Sequence, residues 1–256
     1  MISKNKIKYI QSLQDKKVRD EEHLYVIEGD KLIKEYLRSG MRLRLLAAEP
    51  EFIDSLMPKE KATIDEIEPA SYKDLKRMSS LKTPHNAIAT VSISLDKSDP
   101  MKIMDSLFIA LESVQDPGNL GTIIRAAAWF GLRHIVCSVN CADVYNPKVI
   151  QASMGAILNV TVHYYDLLSL LNEARKKGLP VYGTFLEGES VYVSKLGNRG
   201  IILLGNESRG ISDDLLPFVT TRLVIPKLSS SIHGVDSLNV GMAASVVFSE
   251  FARRRL

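Results

Sequence analysis

The chain has 256 residues, 45% of them hydrophobic and 25% charged, which suits a folded protein of one or two domains and excludes disordered and fibrous classes. A formal net charge of +3 permits an acidic partner such as RNA without demanding one. No apolar run approaches the roughly 18 residues of a membrane span, and the Lys-rich start lacks the apolar core of a secretory signal, so a cytoplasmic protein with no membrane partner is expected.

Met1 to Arg19 carries six Lys or Arg and one acidic residue, with Ile7, Ile10 and Leu13 at helical spacing beneath them. This opening reads either as a solvated face packed by its apolar stripe or as a phosphate-contacting surface. His23 to Glu28 predicts a strand. Asp30 to Arg38 predicts a helix with Leu32, Ile33, Tyr36 and Leu37 inward and Gly40 at its end. A strand near Leu43 to Ala48, helices near Phe52 to Leu56 and Tyr72 to Met78, and a half-buried strand over Ala87 to Ser94 complete a small α/β domain, residues 1–95. The polar segment DKSDP, Asp96 to Pro100, marks a linker over 96–101.

Residues 102–256 then alternate. Strands are expected at Leu107 to Leu111, His134 to Ser138, Asn159 to Val162, Val181 to Thr184, Ile201 to Leu204 and Leu223 to Ile225. Helices are expected at Leu120 to Phe130, Pro147 to Met154, Leu167 to Lys177 and Leu238 to Arg254. The fold class is therefore α/β, with a C-terminal, mostly parallel sheet carrying helices on both faces. Ligands of such sheets bind where strands end and helices begin.

Three stretches in this region can carry chemistry. In QDPGNLGTIIR, Gln115 to Arg125, Pro117 and Gly118 form a turn and Asn119 reads as a helix N-cap. Gly121 and Arg125 are four apart and share a helix face, leaving room beside the guanidinium for a phosphate or a ribose; a packing glycine and a surface cation explain the same spacing. GNESRG, Gly205 to Gly210, is a tight loop entered from the buried strand IILL, and it sets the Glu207 carboxylate among backbone donors, where it orients a neighbour or is simply solvated. Beyond Leu223 to Ile225, Ser237 fits an N-cap for the last helix, whose Leu238, Met242 and Val246 form an i, i+4, i+8 core stripe. Asn239 falls in the first turn of that helix, its amide directed either to backbone or to the cleft. Arg253 to Arg255 complement the helix dipole. His233 reads as a loop histidine. Cys137 and Cys141 lack a second Cys or His pair at ligand spacing, so no metal is expected. Neither G-x-G-x-x-G nor G-x-x-x-x-G-K-[ST] is present, which argues against a dinucleotide-binding dehydrogenase and a nucleotide hydrolase.

QDPGNLGTIIRAAAWFG (Gln115 to Gly131), LLGNESRGIS (Leu203 to Ser212), and VIP with SLNVGMAA (Val224 to Pro226, Ser237 to Ala244) occur in that order. They resemble motifs 1, 2 and 3 of the SpoU (TrmH-like) branch of the SPOUT RNA 2′-O-ribose methyltransferases. VIEGDKLIKEYL (Val26 to Leu37) and TPHNAIATV (Thr83 to Val91) resemble the small substrate-binding domain often attached to that family. The resemblance implies a deep trefoil knot, a rare exception to unknotted topology. It also implies a bent S-adenosylmethionine held by Leu204, Gly205, Ile225 and Leu238, with Thr184 on the preceding strand, and a homodimer whose sites draw on both subunits. The substrate implied is RNA, ribosomal RNA ahead of tRNA, and not DNA. Arg125 matches the arginine placed at the reacting 2′-hydroxyl. A guanidinium with a pKa above about 12 is a poor base, so charge stabilisation is its expected work. Asn119 and Asn239 then orient groups, Glu207 braces its loop, and Ser237 lies near the ribose. Two departures stand out: KLSSSIHGVD, Lys227 to Asp236, is longer than the usual spacing, and Ser208 replaces a frequent glycine. The competing readings are a catalytically idle RNA-binding or assembly protein of the same fold and, more remotely, an enzyme acting on a small nucleotide.

Overall fold

The structure is a computed structural model that describes residues 2–94, 99–228 and 236–255. The chain forms two compact units, Met1–Asp96 with Tyr145–Leu158, and Lys97–Val144 with Asn159–Leu256.

The first unit is built on a four-stranded mixed sheet in the order β1 (Leu24–Glu28), β4 (Ala87–Ser92), β2 (Leu43–Ala48), β3 (Ile67–Pro69). β4 runs antiparallel to β1 and β2, while β3 runs parallel to β2. β4 is expected to be half-buried, but it lies between two strands and under helices on both faces, so only Ser92 is exposed. On one face α1 (Lys4–Ser12) and α6 (Tyr72–Met78) pack Ile7, Ile10, Leu13, Leu75 and Met78 onto Val26, Leu45, Ala47 and Ile88. On the other, α3 (Asp30–Arg38) and α4 (Pro50–Asp54) pack Ile33, Tyr36, Leu37 and Phe52 onto Ile27, Leu46, Ala48 and Ala89. The alternation along β1, β2 and β4 assigns each residue to its face.

The basic opening is two helices rather than one, because Asp15 Oδ1 accepts from Lys17 N at 2.8 Å and caps a fresh start, α2 (Lys16–Glu22). Arg19 is buried, and its Nη1 donates to the carbonyls of Leu13 and Gln14 at 2.9 and 2.8 Å, so this cation ties the two helices together. A short helix α5 (Pro58–Lys61) and the strand β3 escaped the sequence reading, being too brief to show a period. α8 (Pro147–Ser153), which the sequence places within the second alternation, groups with the first unit. Its Ile150, with Tyr145, Ile157 and Leu158, packs on the α3 side of that core.

The second unit holds a seven-stranded sheet in the order β7 (Thr161–Tyr164), β6 (His134–Cys137), β5 (Leu107–Leu111), β10 (Gly200–Leu204), β8 (Val181–Phe185), β11 (Thr221–Val224), β9 (Glu189–Ser190). Every pairing is parallel. β10 inserts between two strands that precede it in sequence, and all five of its residues are buried, as an apolar run flanked on both edges and both faces requires. α9 (Leu167–Lys176) covers one face through Leu167, Leu170, Leu171 and Ala174, against Phe108, Ala110, Ile201 and Leu203. α7 (Pro117–Trp129) and α10 (Val240–Arg253) pack against each other, and Phe251 of α10 meets Tyr182 of β8 edge-on at 5.0 Å.

The last helix starts two residues later than expected and buries a different stripe: Val240, Ala244, Val247, Phe248 and Phe251. Leu238 and Met242 are 51% and 61% exposed, so the Leu238, Met242, Val246 stripe is not core. Both stripes satisfy helical periodicity, and the approach of α7 decides between them. His233, most of the Lys227 to Asp236 loop and part of the expected linker lie outside the described residues. Among the described residues no helix is long and apolar enough to cross a membrane.

Candidate active site

The carboxyl ends of β5, β10, β8 and β11 lie side by side, and the loops leaving them carry the polar residues singled out above. The loop after β5 leads into α7. Its N-cap is Asp116, not Asn119: Asp116 Oδ1 accepts from Asn119 N at 2.8 Å, and Pro117 occupies the first helical position, where a missing N–H costs nothing. Asn119 therefore sits in the first turn with its amide uncommitted to capping. Its Nδ2 donates to Glu207 Oε1 at 2.9 Å, and its Oδ1 accepts from Asn239 Nδ2 at 2.8 Å.

Asn239, expected inside the last helix, is its N-cap instead. Its Oδ1 accepts from Gly241 N and Met242 N at 2.9 and 3.3 Å, which leaves Nδ2 for Asn119. Ser237, the expected cap, is exposed and precedes it. The amide chain is held in register by close packing of α10 on α7, since a Cβ at Gly241 would stand 2.9 Å from Thr122 Cγ2.

The loop after β10 is tied to the loop after β5 at three points. Asn206 Nδ2 donates to Ser113 O at 2.8 Å, Glu207 receives Asn119, and Ser212 N donates to Glu112 Oε2 at 2.9 Å. Asn206 also shapes its own loop, because its Oδ1 accepts from Ser208 N and Arg209 N at 3.0 and 3.1 Å while its backbone exchanges two bonds with Gly210. Asn206 Nδ2 further lies 3.4 Å from Glu207 Oε2. Glu207 is thus gripped by two asparagine amides. Gly205 is fixed by the same turn: a Cβ there would meet Gly210 C at 2.2 Å and Ile211 N at 2.4 Å, both backbone atoms.

The structure thus brings together Asn119, Glu207 and Asn239. Thr184 is the penultimate residue of β8, Leu204 ends β10 and Ile225 follows β11, three adjacent strands; Thr184 Oγ1 donates to Leu203 O at 3.4 Å. Leu238 lies one residue before the α10 cap, on the exposed side. Arg125 is exposed on α7, one turn before the exposed Trp129, whereas Gly121, one turn earlier, is buried. The sequence reading missed Asp116, whose position before a proline and an apolar helix was a legible cap signal. It also missed Asn206, which nothing in the sequence separates from an ordinary turn asparagine.

Behind the β5 loop, Ser113 N donates to Ser138 Oγ at 2.9 Å and Cys141 Sγ donates to Leu111 O at 3.3 Å. The Cys141 thiol is lowered to about 7, mainly because Cys137 hydrogen-bonds to it, against the opposing effect of burial. The Cys137 thiol is raised by that same bond and by burial. A lowered thiol pKa moves thiolate formation down from the ordinary pH range. Iodoacetamide labelling followed by peptide mass spectrometry should therefore show Cys141 reactivity rising through about pH 7 while Cys137 stays unlabelled; a Cys141 midpoint near pH 9 would contradict the geometry. Among the described residues no group of three or more His, Cys, Asp or Glu is placed to hold a metal ion.

Parallel strands ending in glycine-bearing loops, with a carboxylate and two amides joined above them, are the features of an α/β protein that holds a ligand at its strand ends. Residues 106–249 match the model of the SpoU rRNA Methylase family, and the chain belongs to that family. Residues 4–89 match the MRM3-like substrate binding domain, which identifies the first unit. The 23S rRNA (guanosine(2553)-2′-O)-methyltransferase RlmP of Bacillus subtilis is 28% identical over 243 residues, 94% of each chain. A TrmH-family protein of known structure from Porphyromonas gingivalis is 38% identical, with a TM-score of 0.85 over 99% of both chains. An AdoMet-bound rRNA methyltransferase from Sinorhizobium meliloti shares the fold, with 24% identity and a TM-score of 0.84 over 100% of this chain and 97% of that one.

Proposed function

We propose that this S-adenosylmethionine-dependent RNA 2′-O-methyltransferase acts on a ribose of ribosomal RNA, as a cytoplasmic homodimer, through Asn119, Arg125, Glu207, Ser237 and Asn239. The observation that carries the reading is the pair of bonds from Asn119 to Glu207 and Asn239, which joins residues 88 and 120 positions away from it. A structural account of these residues needs only caps and turns, and Asp116 already caps α7. The amides and the carboxylate are thus available to fix donors in space, and preorganised donors are what a developing oxyanion requires.

S-adenosylmethionine supplies a methyl group activated on a sulfonium. The backbone at Leu204, Gly205 and Ile225, with Thr184 and Leu238, suits such a ligand: the missing Cβ at Gly205 keeps the loop tight, and the apolar strand ends leave main-chain groups to recognise it. A ribose hydroxyl is barely ionised at neutral pH, so the site works by stabilising negative charge on O2′. Arg125 provides the opposing positive charge, as a guanidinium does. Glu207 holds Asn119, Asn119 holds Asn239, and the amides keep the sugar edge and its phosphate oriented, with Ser237 beside them. The expected trefoil knot is consistent with β10 inserting between β5 and β8.

The homodimer is supported by apolar surface on the same side. Trp129 is 84% exposed one turn beyond Arg125, and Leu238 and Met242 add to it. Large exposed apolar groups beside a site mark a surface that another chain covers. Ribosomal RNA is preferred to tRNA because the Bacillus relative acts on 23S rRNA and matches along almost the whole chain.

The test is incubation with labelled S-adenosylmethionine and unmodified total rRNA or tRNA, followed by nucleoside analysis. A 2′-O-methylated nucleoside should appear in rRNA. Label in tRNA alone would reassign the substrate, and label in neither pool, with cofactor bound, would leave an idle RNA-binding protein. Arg125→Ala should lower transfer about 100-fold or more with cofactor affinity unchanged; transfer within a few-fold of the parent would remove Arg125 from the chemistry.

A further inference from the structure

The first unit sorts its cations into two populations. Lys6 pairs with Glu66 and Glu68, Lys16 with Asp20, Lys17 with Glu21, Arg38 with Glu35, and Arg42 and Arg44 with Asp65. Arg19 is buried on carbonyls. Among the described residues Lys31, Lys34, Lys59, Lys61 and Lys148 make no ion pair and are spread over other elements, and the exposed Lys4, Lys8, Lys73, Lys76, Arg77 and Lys82 make none either.

These last six cations belong to neighbouring elements. α1 and α6 lie on the same face of the sheet, and Gln11 Nε2 donates to the carbonyl of Arg77, while Gln14 Nε2 donates to Met78 O at 3.3 Å. Lys4 and Lys8 lie on the turns preceding Gln11, on its side of α1. Lys73, Lys76 and Arg77 are spaced i, i+3, i+4 and share one side of α6. Lys82 lies in the segment that follows, Ser79 to Asn86, which holds no acidic residue. The one acid of α6, Asp74, bonds the helix start, its Oδ2 accepting from Ser71 Oγ at 2.7 Å and from Ser71 N at 3.3 Å; those bonds lower its pKa, and Arg77 and Lys73 also lower it through space, without an ion-pair contact. Tyr72, at the first turn, is 51% exposed.

We infer that the α1/α6 face is a second RNA-contacting surface, gripping the sugar-phosphate backbone of the substrate, with Tyr72 as a platform for an unpaired base. The inference rests on the RNA-methylating reading above and names how the first unit holds that RNA. Exposed cations that no carboxylate contacts are what counterion release needs, and an exposed aromatic among them suits a base that has left its stack. Protein interfaces are depleted in lysine at their centres, which disfavours a protein partner. A membrane surface would need an apolar helix face, and the apolar residues of α1 and α6, Ile7, Ile10, Leu75 and Met78, are buried in the core.

The test is the triple variant Lys73→Gln, Lys76→Gln, Arg77→Gln of the full chain, with unmodified ribosomal RNA transcribed in vitro as probe, titrated between about 50 and 200 mM salt. The slope of log affinity against log salt should shrink in magnitude by about 2 to 3, one phosphate per cation at roughly 0.7 to 0.9 each. Calorimetric binding of S-adenosylmethionine and the melting temperature should match the parent. Arg42→Gln with Arg44→Gln, cations already paired with Asp65, should change the slope by less than about 1. An unchanged slope in the triple variant overturns the inference whether or not the parent methylates RNA. A reduced slope from a parent that transfers no methyl keeps this surface and removes the methyl-transfer reading. Loss of retention on phosphatidylserine vesicles with an unchanged RNA slope would assign the face to a membrane and overturn it.

Discussion

Replacing Asn119 by alanine should lower methyl transfer by about 100- to 1000-fold while leaving the melting temperature within a few degrees of the parent. Both halves of that result follow from the local geometry. The side chain is removed from Glu207 Oε1 and Asn239 Nδ2, so the two bonds that join the three loops through one amide are lost together. The backbone N–H of residue 119, however, still donates to Asp116 Oδ1, and Pro117 still starts the helix, so α7 keeps its cap. Single-turnover transfer at saturating cofactor isolates the chemical step from binding. Nearly full transfer by Asn119→Ala would show that the amide chain is structural and that Arg125 works without it. Loss of transfer accompanied by a collapse in stability would show that the amide holds the fold rather than the sugar.

A second large effect is expected at Gly205, and here the affected quantity is cofactor binding. Adding a methyl group, Gly205→Ala, puts carbon 2.2 Å from Gly210 C and 2.4 Å from both Gly210 O and Ile211 N. No flexible side chain lies in the way that could move aside. The turn is clamped by the two Asn206–Gly210 backbone bonds and by Asn206 to Ser113, so relief requires breaking that set. Overpacking of this kind costs about 1–3 kcal/mol, and affinity for S-adenosylmethionine should fall by about 5- to 100-fold where the loop must be rebuilt to bind. Gly210→Ala is the informative control. Its φ of +70° strains an L residue, yet nothing lies within 4 Å of the added carbon, so it should cost about 1 kcal/mol of stability. Equal cofactor affinity for Gly205→Ala and the parent would mean that this loop does not form the binding surface.

The two variants address different links of the site. Gly205 sets the shape of the strand end, whereas Asn119 ties that loop to the start of α10. Asn206 serves both, being a turn residue by its Oδ1 and a tie between loops by its Nδ2. Arg125 is exposed on α7, one turn before Trp129.

Sequence by itself determined the longer strands, because apolar runs such as IILL can only be satisfied between neighbours, though not the brief β3 and β9, and it determined the places where loops had to be small. The class of chemistry was legible through the resemblance of three ordered motifs to those of a known family, since each motif alone admits a packing or capping explanation. Tertiary structure decided what each polar atom does. Whether Asn119 or Asp116 caps α7, and whether Ser237 or Asn239 caps α10, depends on which partner reaches the free amide, and those partners come from 88 and 120 residues away. It also decided which stripe of α10 is core and which core takes α8: periodicity fixes that a face is buried, but only the approach of another element fixes against what.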